Sequence, residues 1–108
     1  MISLIEHHHD DLVSRCKQFG VKRLEIFGSA ATGEFDESSS DIDFLVDFDD
    51  RTTDDLFHRY FGLKSALEQL FGRPVDLVMV GALRNPYFID SVNSTRQLVY
   101  AAPVAQAA

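Results

Sequence analysis

The chain has 108 residues, 45% of them hydrophobic with nine Phe, which is enough for one compact core and too few for two. Seventeen Asp and Glu against ten Lys and Arg leave a formal charge of −7, which argues against a surface that holds nucleic acid by neutralising phosphates and favours a basic partner or bound cations. No apolar run approaches the roughly eighteen residues of a membrane span, and the opening MISLIEHHHDD lacks the basic region and cleavage site of a secretion signal, so one cytoplasmic domain over residues 1–108 is expected.

In chain order, Ile5, Leu12, Val13, Cys16 and Phe19 fall close to helical spacing and Gly20 supplies a stop, which predicts an amphipathic helix over 3–19. His7, His8 and His9 on that helix point about 100° apart, so they cannot all grip one ion and read as surface. Cys16, the single cysteine, has no partner for a disulfide or zinc site and reads as a small buried apolar residue. KRLEIF, 22–27, is a strand, and DIDFLVDF, 41–48, is the next. In the latter, Ile42, Phe44, Val46 and Phe48 share one face, while Asp41, Asp43, Leu45 and Asp47 share the other. Thr52 or Thr53 then caps a helix striped by Leu56, Tyr60, Leu63, Leu67 and Leu70 and closed by Gly72. VDLVMV, 75–80, is a third strand. Asn85 and Pro86 open a short helix, RQLVYA returns to extended form near 97–101, and 102–108 reads as a frayed tail. The expected fold class is α+β, with helices packed on a small mixed sheet.

The aspartates stand out against this pattern. Residues two apart on a strand project from one face with Cα atoms roughly 6.5–7 Å apart, so Asp41 and Asp43 can converge on one cation. Left unpaired beside a core they would repel each other and rise in pKa, and a divalent ion removes that penalty. Asp76 shares a face with Val78 and Val80 on what should be a neighbouring strand. Three carboxylates without His or Cys suit Mg²⁺ or Mn²⁺. Ahead of them, Gly28 permits a tight turn, and Ser29 offers a hydroxyl and an N–H to a phosphate. A Walker A loop is excluded because no Gly-Lys-Ser/Thr follows, and an EF-hand because Asp43 runs on into Phe-Leu-Val.

Gly28-Ser29, then Gly33, then Ser40-Asp41-Ile42-Asp43-Phe44-Leu45-Val46, with Asp76 on a later strand, resembles the minimal nucleotidyltransferase (MNT) family of the DNA polymerase β superfamily. The match extends from the helix ahead of the motif to the Asn85-Pro86-Tyr87 helix. Where members often carry Arg just before the motif's second Gly, this chain has Thr32. The resemblance implies the nucleotidyltransferase fold and transfer of a nucleoside monophosphate, AMP from ATP or another NTP, with release of pyrophosphate. It further implies that Asp41, Asp43 and Asp76 are the catalytic residues and hold two Mg²⁺ (or Mn²⁺) ions, and that Gly28, Ser29 and Ser40 bind the nucleotide's phosphates. The implied partner is a HEPN-domain toxin, a ribonuclease that such proteins restrain as antitoxins, in some cases by adenylylating a tyrosine. A second class is a binding module that silences its partner by occlusion, which the acidic balance and Thr32 favour. A third is transfer to a small molecule such as an aminoglycoside, for which the extra domain of larger relatives is lacking. Metal-dependent labelling of a partner separates the first two.

The run Asp47, Asp49, Asp50, Asp54 and Asp55 reads as a solvated strand exit and helix N-terminus, where negative charge suits the dipole. Phe57, Phe61 and Phe71 read as core, or as a patch covered by another chain.

Overall fold

The computed structural model describes residues 3–32, 41–49 and 55–103. The described residues form α1 (Ser3–His7), α2 (His9–Gln18), β1 (Val21–Phe27), α3 (Ser29–Thr32), β2 (Ile42–Phe48), α4 (Leu56–Phe71), β3 (Val75–Met79), a 3-10 turn (Val80–Ala82), α5 (Pro86–Thr95) and β4 (Gln97–Ala101). They build an α+β fold around one mixed sheet of order β3-β2-β1-β4. β1 runs antiparallel to both β2 and β4, whereas β2 and β3 are parallel. A parallel pair needs a long crossover, and α4 supplies it.

The alternation along β2 divides the interior. Ile42, Phe44 and Val46 join Leu24 and Ile26 of β1, Leu12 and Cys16 of α2, and Leu63 and Leu67 of α4 in the main core. Cys16 is buried there, and burial pushes its thiol up to about 12, so it is an inert apolar filler as expected. On the opposite face Leu45 packs with Phe27 and with Val92 of α5. The middle of β2 is thus covered on both faces, and its charged residues, Asp43 and Asp47, stand half-buried toward its two ends.

Several boundaries differ from the sequence reading, each for a local reason. The expected helix over 3–19 is interrupted at His8 (φ −108°, ψ 16°), whose ring nitrogen lies 3.0 Å from the Leu4 carbonyl while the ring meets Phe71 edge-on. A side chain that engages this carbonyl competes with the regular helical bond. The cap of α4 is Asp55, whose carboxylate accepts the Phe57 N–H at 2.9 Å; Thr52 and Thr53 lie outside the described residues. Leu56, expected in the buried stripe, is exposed because it stands in the first turn, before α4 reaches the sheet. Phe71 is core, but Phe57 and Phe61 are 63% and 51% exposed. β3 ends at Met79, since Val80 enters the 3-10 turn. Within the expected tail, the Ala102 N–H still donates to Lys22, and residues 104–108 lie outside the described ones. The Asn85 cap followed by Pro86 and the left-handed Gly72 stop are as expected.

Arg59 had no sequence signal. Buried on α4, it donates to the carbonyls of Phe19, Gly20 and Asp49 and lies over the Phe48 ring, joining the α2–β1 turn to the exit of β2. It supplies side-chain donors to three carbonyls at this junction, where the Gly20 carbonyl also accepts the Asp49 N–H at 2.8 Å.

Candidate active site

The site forms where β1 ends and β2 and β3 begin. The register pairs Phe27 with Asp43 across the antiparallel ladder and Asp43 with Asp76 across the parallel one. Aligned neighbours project to the same side of a sheet. The carboxyl groups of Asp43 and Asp76 are consequently in hydrogen-bonding contact. Asp43 is pushed up to about 6, chiefly by burial, then by the bond to Asp76 and by the charges of Asp76 and Asp41. Asp41 stands just before β2 and is exposed, acting on Asp43 through its charge. Among the described residues no three His, Cys, Asp or Glu side chains cluster closely enough to form a ready metal cage.

Gly28 closes the other side. Its φ of 72° lies in the left-handed region, and a Cβ built there would stand 2.7 Å from Asp43 Oδ2. Glycine is therefore required twice, by the backbone turn and by the carboxylate packed against it. The Gly28 carbonyl accepts the N–H groups of Ala31 and Thr32 and so closes α3, with Ser29 as its first residue. Gly28 and Ser29 are thus brought beside Asp43, whereas Gly33 and Ser40 lie outside the described residues.

A cavity of about 280 Å³ opens beside the aspartates, lined by Asp43 and Asp76, by Phe27 and Phe88, and by Tyr60 and Lys64 of α4. The Phe27 and Phe88 rings meet edge-on at 5.9 Å, forming an apolar wall. A second cavity, of about 380 Å³, lies at the far end of β2 and contains none of the three aspartates. The first is the candidate chemical site, since converging carboxylates carry reactivity that volume alone does not.

Residues 9–99 fit the profile of the nucleotidyltransferase domain. The chain belongs to this nucleotidyltransferase family. Its relatives include a protein of Methanocaldococcus jannaschii assigned as a protein adenylyltransferase, 43% identical over 84 residues that span 78% of this chain and 80% of the relative. The protein adenylyltransferase MntA of Thermococcus cleftensis is 37% identical over 83 residues, 77% of each chain. Among solved structures, one assigned as a minimal nucleotidyltransferase superposes with a TM-score of 0.68 at 34% identity, covering 85% of this chain and 89% of the other. The fold also matches a complex of a tri-AMPylated Shewanella oneidensis HEPN toxin with its MNT antitoxin, with a TM-score of 0.61 at 16% identity, covering 91% and 73%.

The positions that frame this candidate site of the nucleotidyltransferase from outside the motif were not singled out for it by the sequence. Tyr60, Lys64 and Phe88 reach the cavity from two helices. Outside the cavity, Glu25, 4% exposed in its side chain, is gripped by Arg96 through two bonds of 2.7 Å and by Arg23 at 2.8 Å. Arg96 first, and then Arg23, holds the Glu25 carboxyl down at about 2 against the opposing effect of burial. A lone Glu between Leu24 and Ile26 was the one available clue. No helix among the described residues is long and apolar enough to cross a membrane.

Proposed function

We propose that this nucleotidyltransferase moves AMP from ATP onto a hydroxyl of a protein partner, a HEPN-domain toxin, and so acts as its antitoxin. The observation that carries the reading is the register placing Asp43 against both Asp76 and the Gly28 turn. Relatives named as protein adenylyltransferases, together with the toxin complex that shares the fold, support the choice of nucleotide and partner.

The donor set fits hard divalent cations: it is all carboxylate oxygen, and the raised Asp43 carboxyl reflects negative charge that a cation would offset. Asp41, Asp43 and Asp76 would hold Mg²⁺, or Mn²⁺ in its place, and when bound such ions stabilise the entering and leaving oxygens of an in-line displacement. The residues themselves orient the reaction. Gly28, lacking a Cβ, lets the phosphate-holding turn approach Asp43, and Ser29 offers its hydroxyl and N–H to the triphosphate, with Ser40 as a further contact. Asp76 lines the cavity in which the acceptor hydroxyl would arrive, with Phe27 and Phe88 as its apolar wall. The acceptor oxygen bonds to the α-phosphorus, the bond from that phosphorus to the pyrophosphate oxygen breaks, and the hydroxyl proton leaves to a basic oxygen or solvent.

A second reading is neutralisation by binding alone. Thr32 in place of the family's frequent Arg favours it, as does the exposed Phe57 and Phe61 pair, whose rings lie 4.7 Å apart on α4. Incubation of the chain with its HEPN partner, ATP and Mg²⁺ decides between them. Adenylyl groups on the partner, read by intact mass and absent with an Asn variant at Asp41, Asp43 and Asp76, are expected. If that triple variant protects cells as well as wild type, occlusion is the correct account.

A further inference from the structure

We infer that Thr95 is a positioning residue for nucleotide binding, setting the Gly28-Ser29 turn against Asp43 through the Gly28 backbone. The inference rests on the transferase reading above and adds to it a residue outside the motif, 67 positions from Gly28.

Three constraints meet on Gly28. Its carbonyl is taken by Ala31 and Thr32, and the Asp43 carboxylate occupies the space in which a Cβ would lie. Its N–H donates to Thr95 Oγ1 at 2.9 Å. The last is a hydrogen bond to a side chain of α5, and it ties the position of the turn to that helix. The Thr95 hydroxyl is aimed in turn. It has contacts of 3.3 Å to the Ser91 carbonyl and 3.5 Å to that of Val92, so its hydrogen is directed back into α5 and its lone pairs are left for Gly28.

α5 is tied to β1 near both of its ends. Arg96, the residue after Thr95, grips the buried Glu25 of β1 with the Nε and Nη2 edge of its guanidinium, and its Nη1 donates to Asn93 Oδ1 at 2.8 Å. At the other end of the helix, Phe88 packs edge-on against Phe27, the residue before Gly28. Thr95 thus sits between two anchors on β1, and its oxygen is a fixed point against which the turn is registered. Because Asp43 Oδ2 touches the empty Cβ position, a shift of the turn by a few tenths of an ångström changes the separation between the phosphate-holding turn and the carboxylates. Placement errors of this kind are costly in sites that work by orientation.

A helix-capping role alone would predict that losing the hydroxyl lowers stability and leaves ligand affinity intact. The test is calorimetric titration of the full chain with ATP and Mg²⁺, combined with hydrogen exchange of the Gly28 amide by NMR. Thr95→Val keeps the shape and removes the acceptor. It should accelerate Gly28 exchange and weaken Mg²⁺–ATP binding about tenfold, the size expected for one lost buried bond. Thr95→Ser should restore both. If Thr95→Val does not fold, Thr95→Ala removes the same oxygen with less bulk and carries the same expectation. Wild-type affinity in the folded Val or Ala variant, or an equal loss in Thr95→Ser, overturns the inference alone. A wild-type protein that binds no ATP overturns the transferase reading, and the inference with it.

Discussion

Replacing Asp43 by Asn should make the metal-free protein more stable, at a position read here as indispensable to its chemistry. Burial and the neighbouring Asp76 and Asp41 raise this carboxyl from an ordinary value of 3.8 to about 6. Each pKa unit corresponds to about 1.4 kcal/mol, so a shift of about two units caps the cost of ionising Asp43 in the folded state at about 3 kcal/mol. Partial contact with solvent screens the charges and lowers the expected value to about 1–2 kcal/mol. The sign follows from linkage. A folded-state pKa above the unfolded one means that the native protein binds the extra proton, so stability is fully retained below the unfolded value and declines as pH rises through about 6. Asp43→Asn cannot ionise, and its amide can still donate to Asp76. It should therefore exceed wild type by about 1–2 kcal/mol above neutrality, with the gap closing near pH 4. Urea denaturation in EDTA at the two pH values measures this directly. For a domain of this size, about 1 kcal/mol also corresponds to a midpoint shift of about 4–8 °C. Added Mg²⁺ should stabilise wild type and leave the variant unchanged. A variant no more stable than wild type at high pH, or an equal gain at both pH values, would refute the assignment of crowded negative charge to this site.

Two further perturbations probe the turn and its support. Ser29→Ala should weaken Mg²⁺–ATP binding by about 1.5–3 kcal/mol, as for a lost charge-assisted bond, and Gly28→Ala should do more harm because its Cβ meets both the left-handed backbone and Asp43; an ATP titration that ranks them the other way would contradict the geometry. Glu25→Gln should destabilise the fold by about 2–4 kcal/mol through its half-broken pair with Arg96. Because the Glu25 carboxyl is held down at about 2, its contribution is present above its ordinary value of 4.5 and is lost as pH falls toward 2. The variant should accordingly show a shallower acid limb in pH-dependent denaturation, and an unchanged limb would place the stabilisation elsewhere.

Local chemistry was legible in the sequence. Alternation along DIDFLVDF already placed Asp43 opposite the core-facing Phe44, and the Asn85-Pro86 and Gly72 signals marked helix ends because capping depends on a few adjacent residues. The Gly-Ser turn was equally plain, since a left-handed bend restricts the residue that can occupy it. Periodicity assigns a side chain to a face and says nothing about which strand lies alongside, in which direction or at which register. Asp76 was therefore a plausible neighbour in the sequence, and the parallel β2–β3 pairing made it the residue in register with Asp43. The same limit applies to Glu25 with Arg96, Arg59 with its three carbonyls, and Thr95 with Gly28, all of which join residues distant along the chain. The sequence by itself determined the alternating elements, the acidic face and the bend beside it, because these follow from spacing and backbone preference within a few residues. Only the tertiary structure decided which carboxylates touch and what holds the bend in place, because burial and hydrogen bonding between distant residues exist only once the sheet is assembled.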